Sequence, residues 1–199
     1  MKGGLTMKIL IVGYFTEASK SNIVRHFPED WDIVIVQPGK EMLHHIEDCQ
    51  VLIPEHIKVD CSLLSIAKKL KLVQTGAGFD NVDIDACTQY GIWAANAAGV
   101  NAQAVAEHVM ALILSYYKNI PFLDSFIKNK IDENELQYTG SELKGKTIGI
   151  IGFGAVGKKV AEFCRVFDMN ILVYARNPVV QSDSFVKMTD FDTLVGASD

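Results

Sequence analysis

The sequence predicts an α/β protein with two domains, each a parallel sheet packed with helices, and three observations carry that prediction. Apolar runs of strand length alternate with helical patterns along most of the chain. The run Lys8-Ile-Leu-Ile-Val-Gly13 is apolar without polar alternates, as a strand covered on both faces has to be. A glycine-rich turn, Gly152-Phe-Gly-Ala-Val-Gly157, separates a strand pattern from a helix pattern. A length of 199 residues suits two domains.

Each element has a local reason. After the first strand, Thr16 or Ser19 can cap a helix in which Ile23, Val24 and Phe27 share one face, and Pro28 marks its end. Trp31–Val36 reads as a second strand, Glu41–Glu47 as a helix and Val51–Pro54 as a third strand. Leu63–Leu70 reads as a helix and Lys71–Thr75 as a fourth strand. Asp83 is a candidate N-cap for a helix that runs to Tyr90, with Gly91 as its stop and Ile92–Ala95 as a short strand. Asn101 can cap a long helix from Ala102 to Lys118, with Val105, Val109, Leu112 and Ile113 on one stripe and Pro121 beyond its end. Lys128–Tyr138 is polar and aperiodic, which reads as a surface connection. A second unit then opens with strand Thr147–Ile151, helix Ala155–Phe167 and strand Asn170–Tyr174.

Composition removes several classes of function. Apolar residues make up 49% and charged residues 22%, as in ordinary globular proteins. A formal net charge of −5 offers no positive excess to neutralise a phosphate backbone, so no nucleic-acid partner is expected. Cys49, Cys61, Cys87 and Cys164 form no C-x-x-C pair, and His44 and His45, adjacent on a helix, diverge, so no metal site is expected. The thiols read as reduced, in a cytoplasmic protein. The apolar run Val109–Tyr117 is too short to span a membrane, and the N-terminal run lacks a cleavage site. Met7 is an alternative start, with Met1–Thr6 as an extension.

The candidate chemistry lies in the glycine turn. Gly152 permits the tight bend, Gly154 lets a pyrophosphate approach the backbone, and Gly157 lets helix and strand pack closely. With Phe153, Ala155 and Val156 they make a dinucleotide-binding fingerprint at a helix N-terminus, where free amides face the phosphates. The next strand of such a unit normally ends in an acid that binds the ribose hydroxyls; here it ends in Ala175-Arg176-Asn177. Without that carboxylate, Arg176 can pair with a 2′-phosphate, which favours NADP over NAD. The alternative is a solvated Arg176 and a site that takes NAD or both.

Three segments resemble one family. Gly140–Gly154 is similar to the start of the cofactor domain in the D-isomer-specific 2-hydroxyacid dehydrogenases; Gly76-Ala-Gly-Phe-Asp-Asn-Val-Asp83 resembles a loop of their first domain, and Gly99–Glu107 the start of their hinge helix. The likeness runs from Lys8 to Asp199. It implies a flavodoxin-like substrate domain over 1–98, then the hinge helix and the first half of a Rossmann domain over 99–199. It further implies an NAD(P)-dependent oxidoreductase that interconverts 2-oxo acids and D-2-hydroxy acids. Backbone amides at Ala77 and Gly78 are expected to bind the substrate carboxylate, and Asp80 and Asn81 to be structural. Phosphite-oxidising members carry a lysine at the position of Ala77, so phosphite is not the expected substrate.

The family's catalytic arginine, glutamate and histidine lie in the second half of its Rossmann domain. The chain is therefore expected to be an N-terminal portion that carries none of the three. His26, His44, His45 and His56 are not candidates for the role, and Glu107 and His108 are neighbours on a helix and do not converge. The helix 102–117 is apolar nearly all round, which reads as burial against a symmetry mate in a homodimer, as in the family's dimers, or else as burial within one chain between the two domains. A competing reading is an inactive homologue that binds a nucleotide or a partner.

Overall fold

The computed structural model describes residues 7–129, 140–176 and 184–199. It divides into two compact units, 1–98 and 99–199. In the first, β1 (Lys8–Val12), β2 (Asp32–Val36), β3 (Val51–Pro54), β4 (Leu72–Thr75) and β5 (Trp93–Asn96) form one sheet in the order β2-β1-β3-β4-β5. Every neighbouring pair is parallel. This is the 2-1-3-4-5 order of flavodoxin-like sheets, in which ligands sit at the carboxyl ends of the strands. Ile9, Leu10, Ile11 and Val12 are all buried, which is the physical reason that β1 is apolar at every position after Lys8.

The helices of this unit are α1 (Glu17–Val24), α2 (Lys40–Ile46), α3 (Cys61–Ile66) and α4 (Ile84–Gln89). Thr16 caps α1, its hydroxyl accepting from Ser19 N–H. The helix nevertheless ends at Val24 and buries no residue, so the expected Ile23–Val24–Phe27 face does not form. Asp60, which the sequence pattern did not single out, caps the start of α3, and the helix stops at Ile66, short of the expected Leu70, where Ala67 leaves the helical conformation. Asp83 caps α4 through Ala86 N–H, and Gly91 takes the positive φ of a helix stop. The segment before α3 pairs with the one before α4: Val59 N–H donates to Asn81 O and Asp83 N–H to Val59 O, both at 2.8 Å. This isolated parallel bridge, Val59 to Val82, is buried among Leu63, Leu64 and Val73 and fixes the segment that follows β4.

In the second unit, β6 (Thr147–Ile151), β7 (Asn170–Tyr174) and β8 (Lys187–Met188) form a parallel sheet in the order β6-β7-β8. Helix α5 (Ala102–Tyr117) packs on α7 (Ala155–Val166). The buried residues of α5 are Ala102, Ala106 and Met110; of the predicted stripe, Val109 and Ile113 pack partly buried against the same core, whereas Val105 and Leu112 are exposed. Small residues at i and i+4 let two helices approach closely, and bulk at Leu112 is left outside, 58% exposed. Asn101 makes no side-chain cap, another departure from expectation. Helix α6 (Ile120–Lys128) was not foreseen: Pro121, taken as a terminator, sits in its first turn, where a missing N–H is harmless. Helix α8 (Phe191–Ala197) closes the unit on β6, and Asp199 accepts from Thr147 N–H at 2.7 Å and pairs with Lys146 at 3.0 Å. No helix among the described residues is long and apolar enough to cross a membrane.

Three carboxylates hold helix and strand ends. Asp60 is kept below the usual carboxylate range by Leu63 N–H, Asp190 by Thr193 N–H, and Asp199 by Thr147 N–H and then Lys146. A lowered folded-state pKa adds stability that is complete above about pH 4, the unfolded range, and is lost as pH falls through the folded value. Urea midpoints should therefore be level from near neutrality down to roughly pH 5 and drop below about pH 4. The double variant Asp60→Asn, Asp190→Asn, which keeps neutral caps, should show a shallower acid limb than wild type; equal limbs would exclude these caps as the cause.

Candidate functional site

The carboxyl end of β4 leads into the first candidate loop. Thr75 is buried, and its hydroxyl donates to Ala95 O at 3.5 Å. Beyond it, Gly76, Ala77 and Gly78 are tied back to the end of β5: Ala97 N–H donates to Gly76 O and Asn96 Nδ2 to Ala77 O, each at 2.8 Å. A side chain at Gly76 would meet nothing within 4 Å, so the loop is open on its outer side. Among the described residues, the N–H groups of Ala77 and Gly78 donate to no protein acceptor. Asn81 Nδ2 donates to Ile57 O at 2.8 Å, which fits a structural role for Asn81. Behind the loop lies a cavity of about 240 Å³, lined by Val73, Thr75, Phe79, Val82, Ile84 and Asn96.

The second candidate loop joins β6 to α7. Gly152 has φ +89°, a conformation that a side chain would strain, and its N–H donates to Tyr174 O at 2.7 Å. Gly154 is the N-cap of α7 and offers no side-chain cap, so the first amides of the helix are left for an external acceptor. No atom lies within 4 Å of where a Gly154 side chain would start. At Gly157 a Cβ would run into the carbonyl oxygen of Gly152, which is why the helix can pack this close to its strand only with glycine. Phe153 and Val156 are half-buried against the core, and Ala155 faces Gly99, where an added Cβ would lie 3.0 Å away.

Parallel pairing of Ile151 with Tyr174 sets the glycine turn beside the end of β7, where Ala175 is half-buried and Arg176 exposed. Arg176 makes no ion pair with another described residue. Asn177 lies outside the described residues. Glu107 accepts from Gln103 Nε2 at 2.7 Å, a contact within one helix face. No group of three or more His, Cys, Asp or Glu suited to a metal ion occurs among the described residues. Sequence reasoning overlooked Asn96, having ended the fifth strand at Ala95; the signal was a polar residue at the carboxyl end of a parallel strand.

Comparison with known proteins matches this geometry to one family. Residues 11–193 fit the model of the D-isomer specific 2-hydroxyacid dehydrogenase catalytic domain. The chain belongs to that family. A D-3-phosphoglycerate dehydrogenase from Archaeoglobus fulgidus is 41% identical over 154 residues, covering 75% of this chain and 29% of the relative. A glyoxylate reductase from Thermococcus litoralis is 37% identical over 151 residues, covering 71% of this chain and 46% of the relative. The chain thus spans less than half the length of these two curated relatives. Among solved structures, the NAD-dependent formate dehydrogenase from Staphylococcus aureus in complex with NAD is similar over 96% of this chain and 63% of its own, at 26% identity and a TM-score of 0.77.

The glycine turn yields a direct test. Gly157→Ala drives a methyl group onto the Gly152 carbonyl, and with no flexible side chain there to give way the strand–helix contact must open. The expected cost is roughly 1–3 kcal/mol, typical of overpacking. Gly196→Ala, within α8 and with nothing within 4 Å of the added Cβ, serves as the control and should leave the melting temperature at or above wild type.

Proposed function

We propose that this chain carries the substrate-carboxylate loop and the phosphate-binding turn of an NAD(P)-dependent oxidoreductase that interconverts 2-oxo acids and D-2-hydroxy acids. The observation that carries the reading is the turn Gly152–Gly157, whose glycines leave helix amides uncapped and open, in a chain of this family. Residues 1–98 are the substrate domain, and 99–199 the hinge helix and dinucleotide-binding half-domain. The residues present fit a dinucleotide. Gly152, Phe153, Gly154, Ala155, Val156 and Gly157 would hold its pyrophosphate by backbone amides and the positive end of α7. Ala175, Arg176 and Asn177 would face the adenosine ribose. When bound, the nicotinamide supplies or accepts the hydride.

Arg176 favours NADP. A guanidinium with no ion-pair partner among the described residues, at the end of β7 and with no neighbouring acid in the Ala175-Arg176-Asn177 run, would attract a 2′-phosphate rather than a ribose hydroxyl pair. The loop at Ala77 and Gly78 would take the carboxylate of a small 2-oxo or 2-hydroxy acid through two N–H groups. No residue of the chain is assigned the proton transfer. Free cysteines, three of them buried, accord with a cytoplasmic setting.

Calorimetry on the 199-residue chain checks the cofactor preference: NADPH should bind about tenfold or more tightly than NADH, the worth of one charge-assisted contact. Arg176→Ala should erase the difference while leaving NADH binding unchanged. Equal affinities in the wild type would make Arg176 a solvent residue, and no binding of either nucleotide would remove the dinucleotide reading.

A homodimer through α5 is the proposed assembly. Leu112 and Tyr116 on α5 are 58% and 77% exposed and Ile127 on α6 is 73% exposed, an apolar surface of the kind that subunit contacts cover. Sedimentation should give twice the chain mass for wild type and a shift toward monomer for Leu112→Glu. A wild-type monomer at micromolar concentration would dismiss this surface as the interface.

A further inference from the structure

We infer that Asn96 is the positioning residue of the carboxylate loop, turning two successive peptide groups so that their N–H bonds face outward together. The inference rests on the reading of Ala77 and Gly78 as the carboxylate site. Every described peptide bond is trans, and in a planar trans peptide the C=O and N–H point in opposite directions. The carbonyl of Gly76 accepts from Ala97 N–H, so the N–H of Ala77, on the same peptide, points away from the 96–97 backbone. The carbonyl of Ala77 accepts from Asn96 Nδ2, so the N–H of Gly78 points away from it as well. Two consecutive amides held to one side form an anion-binding concavity.

The two restraints differ in kind. The Gly76 carbonyl is held by backbone and would survive any substitution at residue 96, whereas the Ala77 carbonyl is held by one side chain alone. Only an N–H or O–H donor can satisfy a carbonyl, so the residue at 96 must present a donor at this reach, and Asn does so from a strand end fixed by pairing with the buried Thr75. Gly76 and Gly78 flank Ala77, so the loop has little conformational preference of its own. Without Asn96, the Ala77–Gly78 peptide is free to rotate and one of the two amides is lost to the site.

The test uses the whole 199-residue chain, labelled with ¹⁵N and ¹³C and titrated with oxamate or glyoxylate. In wild type, the amide signals of Ala77 and Gly78 should shift together on binding. A coupling across the hydrogen bond, from Asn96 Nδ2 to the Ala77 carbonyl carbon, should be visible before ligand is added; it needs no variant and so does not depend on a variant folding. Asn96→Asp keeps the shape but at neutral pH presents only acceptors, and should weaken binding about tenfold or more while the Gly78 shift shrinks more than that of Ala77. Asn96→Ala should behave alike. Wild-type affinity and unchanged Gly78 shifts in folded Asn96→Asp, or no coupling in wild type, would overturn the positioning role. Absence of any loop shift in wild type would overturn the carboxylate reading itself, and the role of Asn96 with it.

Discussion

Parallel strand pairing is the constraint on which the remainder of this structure depends. A parallel pair cannot be joined by a tight turn, so each strand must hand over to a helix before the next one begins, and all strands of a sheet end on the same edge. Both sheets obey this. In such sheets the strand ends gather the loops that meet ligands, and the two candidate loops, after β4 and after β6, both lie at strand ends. The same constraint buries strand interiors on two faces, which accounts for the apolar cores around Leu10, Leu52 and Val73 and around Ala161, Cys164 and Val173.

The two candidate loops present backbone amides rather than side chains, and they do so by different devices. At Gly152–Gly157 the uncapped amides come from a helix start, and glycine is needed because bulk at Gly157 would hold helix and strand apart. At Gly76–Gly78 there is no helix, and the peptide orientation has to be imposed by partners at the end of β5. A helix start carries its amide direction in its own hydrogen bonding; an isolated loop must borrow that direction from neighbours. That difference is why the second device is invisible as a motif and the first is conspicuous.

Several elements were legible from local pattern alone because local chemistry decided them. Strands Thr147–Ile151 and Asn170–Tyr174 fall where the apolar runs lie, and Thr16 and Asp83 cap as their side chains predispose them to. Other elements were settled by packing. Val105 and Leu112 are as apolar as Val109 and Ile113, yet only the latter two pack on the core, beside the buried Ala106 and Met110, because the opposing helix α7 meets that side of α5. Pro121 reads as a terminator in isolation and opens α6 in the fold. Asp60 ends up a cap because α3 begins two residues earlier than its apolar pattern does.

The sequence by itself determined the fold class and the glycine-rich turn, which rest on periodicity and on glycine spacing within a few residues, and it carried the likeness to the family in three separate segments. Tertiary structure alone decided that Asn96 meets Ala77, a contact between residues 19 apart in the chain. It also decided that Asp199 returns to Thr147 at the start of β6, and that Val59 bridges Val82 beneath the loop. The reason is physical: such contacts join segments distant in sequence, and which strands become neighbours is fixed by how helices and sheets share one core, not by any residue's own preference.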